Sequence, residues 1–250
     1  MAHVQSPVPA FRFVRFLGPV AALLLAAQAG VAATITVAAG EVAVANNGVC
    51  SLREAIHNAN ADAQVDNTDC VAGSGTDTIE LAANATYTLS DAEALLDDTG
   101  LETLSTPLVL DGNGATIERD SSLPCVLDGT HVDGVEFRIL VISAGSPGIT
   151  LNDLTLKNGC ADGSGNSRDG GAIRINGVAT LNRVTVEGSS ALRFSGGLDS
   201  TNTAIAITDC TFMNNASGGG AGAIGHGHGG TITITGSTIA NNTTAGQGGG

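Results

Sequence analysis

Four short stretches of this chain repeat one another at nearly constant spacing. They begin at Thr150, Thr180, Ala206 and Thr233, so successive starts lie 30, 26 and 27 residues apart. Each stretch alternates aliphatic or β-branched residues with polar ones, which is typical of a strand with one buried face. A repeat of this length indicates a chain wound into stacked coils. The pattern therefore predicts an all-β solenoid before it indicates any activity.

Aligning the four stretches predicts which side chains stack vertically inside the solenoid. The first column holds Leu151, Leu181, Ile207 and Ile234; the second holds Leu154, Val184, Cys210 and Ser237; the third holds Leu156, Val186, Phe212 and Ile239. Two residues separate the first and second columns where strict alternation allows one, which indicates a bend between strands. The next shared position holds Asn158, Gly188, Asn214 and Asn241. We expect a left-handed turn there, with Asn side chains hydrogen-bonded up the stack.

The charge and composition of the chain exclude several classes of partner. The 250 residues include 24 acidic and 10 basic side chains, for a net charge of -14. This acidity argues against nucleic acid and anionic membrane surfaces as partners. Apolar residues make up 42% of the chain, which is enough for a buried core. After residue 34 no apolar run approaches the roughly 20 residues of a membrane-spanning helix, so we expect no membrane insertion.

The first 33 residues have the pattern of an export signal. Arg12 and Arg15 precede an apolar run from Phe16 to Ala27, and small residues up to Ala33 follow at a spacing suited to cleavage. Cleavage before Thr34 would leave a mature chain with a net charge of -16. We therefore expect a secreted protein.

The five cysteines leave one unpaired, and export makes disulfide bonds permissible. Cys50 and Cys70 are the best pair because they bracket a compact segment, and closing a loop of about 20 residues would stabilise the fold by roughly 3 kcal/mol. Cys125 and Cys160 are candidates for a second bridge. Cys210 falls in the second predicted column, where we expect a buried free thiol.

A short helix is predicted to begin at Ser51 and to end near Asn60. Ser51 and Glu54 form a capping box, in which each side chain accepts a hydrogen bond from the backbone N–H of the other residue. One face of this helix is apolar, and we expect it to pack on the end of the solenoid: Leu52, Ala55, Ile56 and Ala59. We expect the other face to be solvated, with a catalytic cluster as the alternative: Arg53, Glu54, His57 and Asn58.

The run Cys50-Ser-Leu-Arg-Glu-Ala55, with Cys70 downstream, is similar to the motif of CSLREA-motif exported bacterial proteins. In that family the motif precedes a right-handed parallel β-helix of the pectin-lyase-like type. The resemblance implies the fold and export to the outside or outer surface of a bacterium, and it implies no agreed activity. It divides the chain into a signal at 1–33, an N-terminal cap at 34–105 and β-helix repeats at 106–250.

Charged residues on neighbouring predicted coils are the first candidates for a functional site. Asp153, Arg183 and Asp209 share one position on three successive coils, and Lys157 lies beside Glu187 at another. Enzymes that cleave polyuronates on β-helices bring acid, base and cation together in this way. The alternative is a charge ladder, in which Arg183 offsets the repulsion between two carboxylates. We favour the ladder, because a lyase also requires a calcium site or an equivalent cluster that the sequence does not show.

Two further motifs are candidates for metal binding. His226 and His228 could share a metal ion, although two histidines without a third ligand make a weak site. Residues 162–169 offer alternating oxygen ligands suited to calcium, but Ile173 stands where a calcium loop requires Glu. We therefore expect no resident cofactor, with calcium as the alternative.

Three short strings resemble those of exo- and endo-polygalacturonases. They are Asn67-Thr-Asp69, Asp97-Asp98 and Gly225-His-Gly227. Their order matches that of the enzymes, but their spacing does not, because a general acid and base lie at most about 10 Å apart and Asn67 precedes the coils. In a chain rich in Gly and Asn, three-letter matches arise readily by chance.

The sequence favours a non-catalytic surface scaffold of the adhesion or interaction type. Its partner would be a host or cell-surface protein or a polysaccharide, although aromatic residues that could stack on sugars are scarce. The alternative is a lyase or hydrolase acting on acidic polysaccharides such as pectin or alginate. Residues 247–250 stand where another turn would begin, and terminal coils need a polar cap. We therefore expect either a longer protein or end-to-end self-association.

Overall fold

A computed structural model describes residues 31–65, 68–93, 98–130, 132 and 134–246, apart from the side chains of Asn166, Asn202 and His228. Within these residues the chain forms a parallel β-solenoid of about five turns, with one short α-helix. The predicted all-β parallel β-helix is therefore confirmed. Residues 1–30 of the predicted export signal lie outside the described part, and the first strand begins at Thr34, where cleavage is predicted.

The α-helix is α1 (Leu52–Ala61), and a single 3-10 turn covers Gly165–Arg168. The strands of the described residues are, in chain order, β1 (Thr34–Thr36), β2 (Asp77–Glu80), β3 (Thr86–Leu89), β4 (Leu108–Arg119), β5 (Leu140–Ile142), β6 (Ile149–Lys157), β7 (Cys160–Ala161), β8 (Ile173–Ile175), β9 (Ala179–Asn182), β10 (Thr185–Glu187), β11 (Ser190–Ala191), β12 (Leu198–Thr208), β13 (Thr211–Met213), β14 (Ala216–Ser217), β15 (Ile224–Thr235), β16 (Thr238–Ala240) and β17 (Thr243–Thr244).

The coils stack through parallel strand pairs on four faces. The first face runs β1, β2, β4, β6, β9, β12 and β15, and the second runs β3, β4, β6, β10, β13 and β16. The third face runs β7, β11, β14 and β17, and the fourth runs β5, β8, β12 and β15. Long strands bend from one face to the next, as β4 and β6 do between the first and second faces. Each coil thus lies about 4.8 Å above the one before it.

The register confirms the predicted inward columns. Leu181 pairs with Leu151 below it and with Ile207 above it, and all three side chains are fully buried. The top of the column differs, because no described coil covers it. Ile234 is 41% exposed and Ile239, at the top of the third column, is 40% exposed. The stack therefore ends in an uncovered apolar surface within the described residues.

Left-handed backbone occurs at two corners of each coil. The bend between the first and second columns has φ values of 48°, 54°, 52° and 62° at Asp153, Arg183, Asp209 and Gly236. The corner after the third column has φ values of 62°, 61°, 56° and 55° at Asn158, Gly188, Asn214 and Asn241. Asn, Asp and Gly adopt this conformation at low cost. The predicted bend and the predicted left-handed turn are both confirmed, and backbone conformation explains the Asn, Asp and Gly residues at these corners but not Arg183.

Side-chain hydrogen bonds between coils are made by the residue that directly follows the second corner. The Asn215 side chain is buried; its Nδ2 donates to Val186 O at 2.9 Å, and its Oδ1 accepts from the Ser189 N–H at 3.0 Å. Asn242 repeats this on the next coil by accepting from the Asn215 N–H at 3.0 Å. The expected ladder of polar side chains therefore exists, but it is carried by the neighbours of the predicted residues.

Helix α1 caps the first coil as predicted. Ser51 is the N-cap, and both hydrogen bonds of the capping box with Glu54 are present. The apolar face is fully buried in the same cluster as the first-coil residue Ile35: Leu52, Ala55, Ile56 and Ala59. Because a ten-residue helix is marginal alone, this packing is what stabilises it.

The prediction that the other face of α1 is solvated is wrong. Arg53 is buried, and its Nη2 donates to Asp91 O at 2.7 Å and to Gly100 O at 3.0 Å. His57 Nε2 lies 2.8 Å from Glu93 Oε1, and this hydrogen bond raises the pKa of His57. The reason is that parts of the segment 91–105, which is inserted between β3 and β4, lie against the helix and supply partners for its polar side chains. These residues form a structural network around the cap.

Both predicted disulfide bonds are present. Cys50 is bonded to Cys70, and Cys125 is bonded to Cys160. Cys210 is a buried free cysteine, as expected from its place in the second column. Within the described part of the chain, no helix is long and apolar enough to cross a membrane.

The polar ladder gives a test of the stacking energetics. Replacing Asn215 with Ala leaves the buried Ser189 N–H unpaired and removes one of the hydrogen bonds to the Val186 carbonyl, which keeps its place in the ladder between β10 and β13. We expect the free energy of unfolding to fall by about 2 to 4 kcal/mol, since a buried unpaired group costs about 1 to 3 kcal/mol and a lost hydrogen bond about 1 kcal/mol. Urea denaturation measures this loss. The matched control is Asn182→Ala, which removes a half-buried Asn182–Asn152 bond and should cost less than about 1 kcal/mol. Equal losses would contradict a special role for Asn215.

Candidate functional site

A groove with a volume of about 590 Å³ lies where the chain leads into β8, β12 and β15 on the fourth face. Ligand pockets in proteins commonly have volumes of about 300 to 1,000 Å³. We call it the Asp199 groove and define it by six lining residues: Asp169, Arg174, Arg193, Phe194, Asp199 and His226. Charged, aromatic and imidazole groups from three successive coils therefore meet on one surface.

The stacking of the fourth face brings these residues together. Arg174 in β8 pairs in register with Asp199 in β12, and Asp199 pairs with Gly225 in β15. Asp169 likewise forms a parallel bridge with Phe194 on the next coil. Residues about one repeat apart in sequence thus become direct neighbours across the strands.

Asp169 organises one side of the groove. Its Oδ1 accepts from Arg193 Nε at 2.8 Å and from the Phe194 N–H at 3.2 Å, and its Oδ2 accepts from Arg193 Nη2. Arg174 Nη1 lies 3.9 Å from the same Oδ2. The hydrogen bond with Asp169 raises the pKa of Arg193, whose guanidinium lies over the Phe194 ring at 5.0 Å from its centroid. Asp169 is buried and saturated with donors, so its role is to hold Arg193 and Phe194 in place.

Asp199 has a different environment. It is 7% exposed, and the Ser195 hydroxyl donates to its Oδ1 at 3.3 Å. Burial, and then the charge of Asp169, raise the pKa of Asp199 to about 6, against the opposing effects of Arg174, Ser195 and Arg138. A buried carboxyl group with a raised pKa in a groove is typical of functional sites. Asp199 therefore changes its charge between mildly acidic and neutral pH.

Close contacts support the floor of the groove. Ser195 has a left-handed φ of 59°, and a Cβ at Gly225 would lie 1.9 Å from its hydroxyl, so a larger residue there would displace the hydroxyl that donates to Asp199. Next to Gly225 in β15, His226 Nδ1 lies 2.8 Å from the hydroxyl of the buried Ser200 in β12. The groove is thus built on tightly packed strands that hold its side chains in place.

The predicted charge cluster lies elsewhere, at the corner between the first and second faces. Arg183 binds Asp153 through two hydrogen bonds of 2.5 and 2.6 Å; the Arg183 side chain is exposed and that of Asp153 is partly exposed. The hydrogen bond with Arg183 lowers the pKa of Asp153, and Asp209 adds a smaller favourable charge to Arg183. Lys157 Nζ lies 3.2 Å from Glu187 Oε1, as predicted. Both arrangements match the charge-ladder alternative.

The structure brings together only part of the predicted metal candidates. His226 lines the Asp199 groove, and the side chain of His228 lies outside the described part. In the 162–169 loop, Asp162 accepts from the Gly129 N–H at 3.0 Å, and Asp169 is held by Arg193. Among the described side chains, no group of three His, Cys, Asp or Glu is arranged to hold a metal ion. The loop carboxylates therefore bind protein donors.

The sequence pattern contained a signal for the groove that the column alignment did not use. Glycine-rich segments precede Ile173, Leu198 and Ile224, which stack in register on the fourth face. Aligning these segments would place Arg174 beside Asp199. Of the strings that resemble polygalacturonases, residues 225–227 line the groove, whereas Asn67 and Asp97 lie outside the described residues.

Comparison with known proteins returned no matching family model, no matching curated protein and no matching solved structure. The function is therefore argued from the geometry of the groove.

The raised pKa of Asp199 predicts how stability depends on pH. Its folded-state pKa of about 6 exceeds the ordinary value of 3.8, so the folded protein binds the proton more tightly than the unfolded chain. The free energy of unfolding should therefore fall as pH rises between these values, by up to about 3 kcal/mol. Asp199→Asn keeps an acceptor for Ser195 and removes the charge. We expect this variant to be more stable than the wild type above pH 6, with the difference vanishing below pH 4.

Urea denaturation across this pH range measures the difference. The control is Asp209→Asn at an exposed corner, which should change the free energy of unfolding by less than about 0.5 kcal/mol at every pH. A wild type that is more stable than Asp199→Asn at pH 8 would show that ionised Asp199 is a net stabiliser.

Proposed function

We propose that this protein is a secreted, non-catalytic β-helix scaffold that binds a ligand in the Asp199 groove. The observation that carries the proposal is the unequal state of the two groove carboxylates. Asp169 is held by Arg193 and by the Phe194 N–H, whereas Asp199 accepts a side-chain hydrogen bond from the Ser195 hydroxyl. Glycoside cleavage requires two carboxyl groups that can act on the substrate. The groove offers one such group, together with a set of fixed binding groups.

The rigidity of the groove supports a binding role. The Gly170 N–H donates to Phe194 O at 2.9 Å, and the Gly171 N–H donates to Ser195 O at 3.0 Å. The backbone on which the groove side chains stand is therefore tied to the neighbouring coil. Sites built on such elements lose little conformational entropy when a ligand binds.

Several features support an extracellular setting. The chain contains two disulfide bonds, which persist in oxidising compartments. The residues 50–55 resemble the motif of exported bacterial proteins, and an export signal precedes them in the sequence. We therefore place the scaffold outside the cell or on the outer surface of a bacterium, where its partner would be a cell-surface protein or a polysaccharide.

A hydrolase is the second candidate, and one observation favours it. The pKa of Asp199 is raised to about 6, as expected for a general acid that must carry a proton near neutral pH. His226 and Arg174 line the same groove and could bind the substrate. In this case Asp169 would have to release Arg193 and act on the substrate as the second carboxyl group.

Turnover assays separate the two functions. The purified protein is incubated with pectin, polygalacturonate, alginate and neutral glycans, and new reducing ends and unsaturated products are measured. We expect no product above the level of Asp199→Asn. Saturable turnover that is lost in Asp199→Asn and kept in Arg183→Ala would establish an enzyme at the groove. Turnover that is lost in Arg183→Ala and kept in Asp199→Asn would place catalysis at the Asp153–Arg183 corner.

We also propose that a second copy of this chain packs on the apolar surface formed by Ile234 and Ile239. Ile234 and Ile239 are the support for this, because each continues a column whose lower members are fully buried. The variant carrying Ile234→Glu and Ile239→Glu should be monomeric at concentrations at which the wild type associates. Sedimentation velocity over a concentration series measures this. The control is Val178→Glu, which alters an exposed valine remote from the last coil. A wild type that stays monomeric throughout would refute the contact.

A further inference from the structure

We infer that the Asp199 groove takes an uncharged sugar, with its apolar ring face against Phe194 and its hydroxyl groups on Asp199, His226 and Arg193. This inference rests on the proposed function, because it names the ligand class of the same groove. It goes beyond that function by choosing neutral sugars over acidic polysaccharides and over proteins.

The exposure of Phe194 is the first step. The described part of the chain contains four aromatic residues, and three of them are fully buried: Tyr87, Phe137 and Phe212. Phe194 is 45% exposed and lines the groove. Its backbone is held on both sides, by the bond from its N–H to Asp169 and by the bond from Gly170 to its carbonyl oxygen. The Arg193 guanidinium covers part of the ring, and the surface that remains exposed provides an apolar contact surface for a ligand.

The polar groups around Phe194 suit hydroxyl groups. Asp199 offers carboxylate acceptors, Arg193 offers guanidinium donors on a side chain that is 41% exposed, and His226 is exposed beside them. Donors and acceptors thus surround an apolar patch within about 590 Å³. A sugar ring presents the matching surface, with C–H groups on one face and hydroxyl groups at its edge. Specificity in such a site comes from hydrogen bonds that a mismatched ligand would leave unmade.

The charges of the groove argue against an acidic sugar. Two guanidinium groups and two carboxyl groups line it, and Arg193 already binds Asp169 through two hydrogen bonds. A uronate carboxylate would have to displace Asp169 to gain a bidentate arginine partner. It would also approach a protein with a net charge of -14. An uncharged sugar need not displace Asp169, and the negative charge of the protein does not repel it.

The strand pairing argues against a bound peptide. Extended peptides commonly add to an open sheet edge through backbone hydrogen bonds. Along the groove β8 pairs with both β5 and β12, and β12 pairs with both β8 and β15. These two strands have no open edge, so recognition along them depends on side chains. Among the described groove strands only β15 has an open edge, because it pairs with β12 alone.

Calorimetric titration at pH 7 with defined oligosaccharides tests the inference. The probes are hexamers of glucose, galactose and mannose as neutral ligands, and trigalacturonate as the acidic one. We expect at least one neutral oligomer to bind and trigalacturonate to bind at least about tenfold more weakly. Phe194→Ala should weaken neutral binding about tenfold or more, and Phe194→Tyr should restore it. Val178→Ala, which shortens another exposed apolar side chain, should have no effect.

Each result decides between the alternatives. Thermal unfolding of Phe194→Ala at the same temperature as the wild type would show that the variant is folded. Phe194→Tyr keeps an aromatic ring and so tests whether binding depends on the ring. Binding of trigalacturonate alone, or neutral binding that survives Phe194→Ala, would overturn the inference and leave the scaffold proposal standing. Absence of binding to every probe would also overturn it. Cleavage of a bound neutral oligomer would instead refute the non-catalytic scaffold while supporting the ligand class.

Discussion

The parallel hydrogen-bond ladder between successive coils is the constraint on which the rest of this structure depends. It requires each coil to place equivalent residues directly above those of the coil below, about 4.8 Å apart. Any property of a position is therefore repeated vertically, whether it is burial, charge or backbone conformation. The fully buried column through Leu151, Leu181 and Ile207 follows from this rule, as do the left-handed corners.

The same rule produces two clusters of charge with different physical states. At the exposed corner, Asp153 and Arg183 satisfy each other in contact with water, and such pairs contribute little to stability. In the groove, Asp199 is buried next to Asp169, and its raised pKa means that ionisation opposes folding at neutral pH. A costly buried carboxyl group beside an exposed Phe194 is better explained by ligand binding than by the needs of the fold.

Much of the architecture could be predicted from the sequence, because it depends on local pattern. The alternation of residues predicted the columns, and the Ser51 capping box predicted α1. The spacing of Cys50 and Cys70 predicted the first disulfide bond, and Cys125 and Cys160 remained as candidates for the second. The prediction of a solvated face on α1 failed, because the insertion at 91–105 supplies partners for Arg53 and His57. The groove was missed for a related reason. Its residues belong to the loops and the fourth face, which the alignment of the four alternating stretches does not include.

The sequence by itself determined that this chain is an acidic solenoid with a capped first coil, since periodicity, composition and capping chemistry are local properties. Only the tertiary structure decided which charged residues meet. Stacking joins Arg174 to Asp199 and Asp169 to Phe194, and it leaves Asp153 and Arg183 paired at a corner. The physical reason is that burial and electrostatic coupling depend on distances across coils, and those distances are set by the register of the folded ladder.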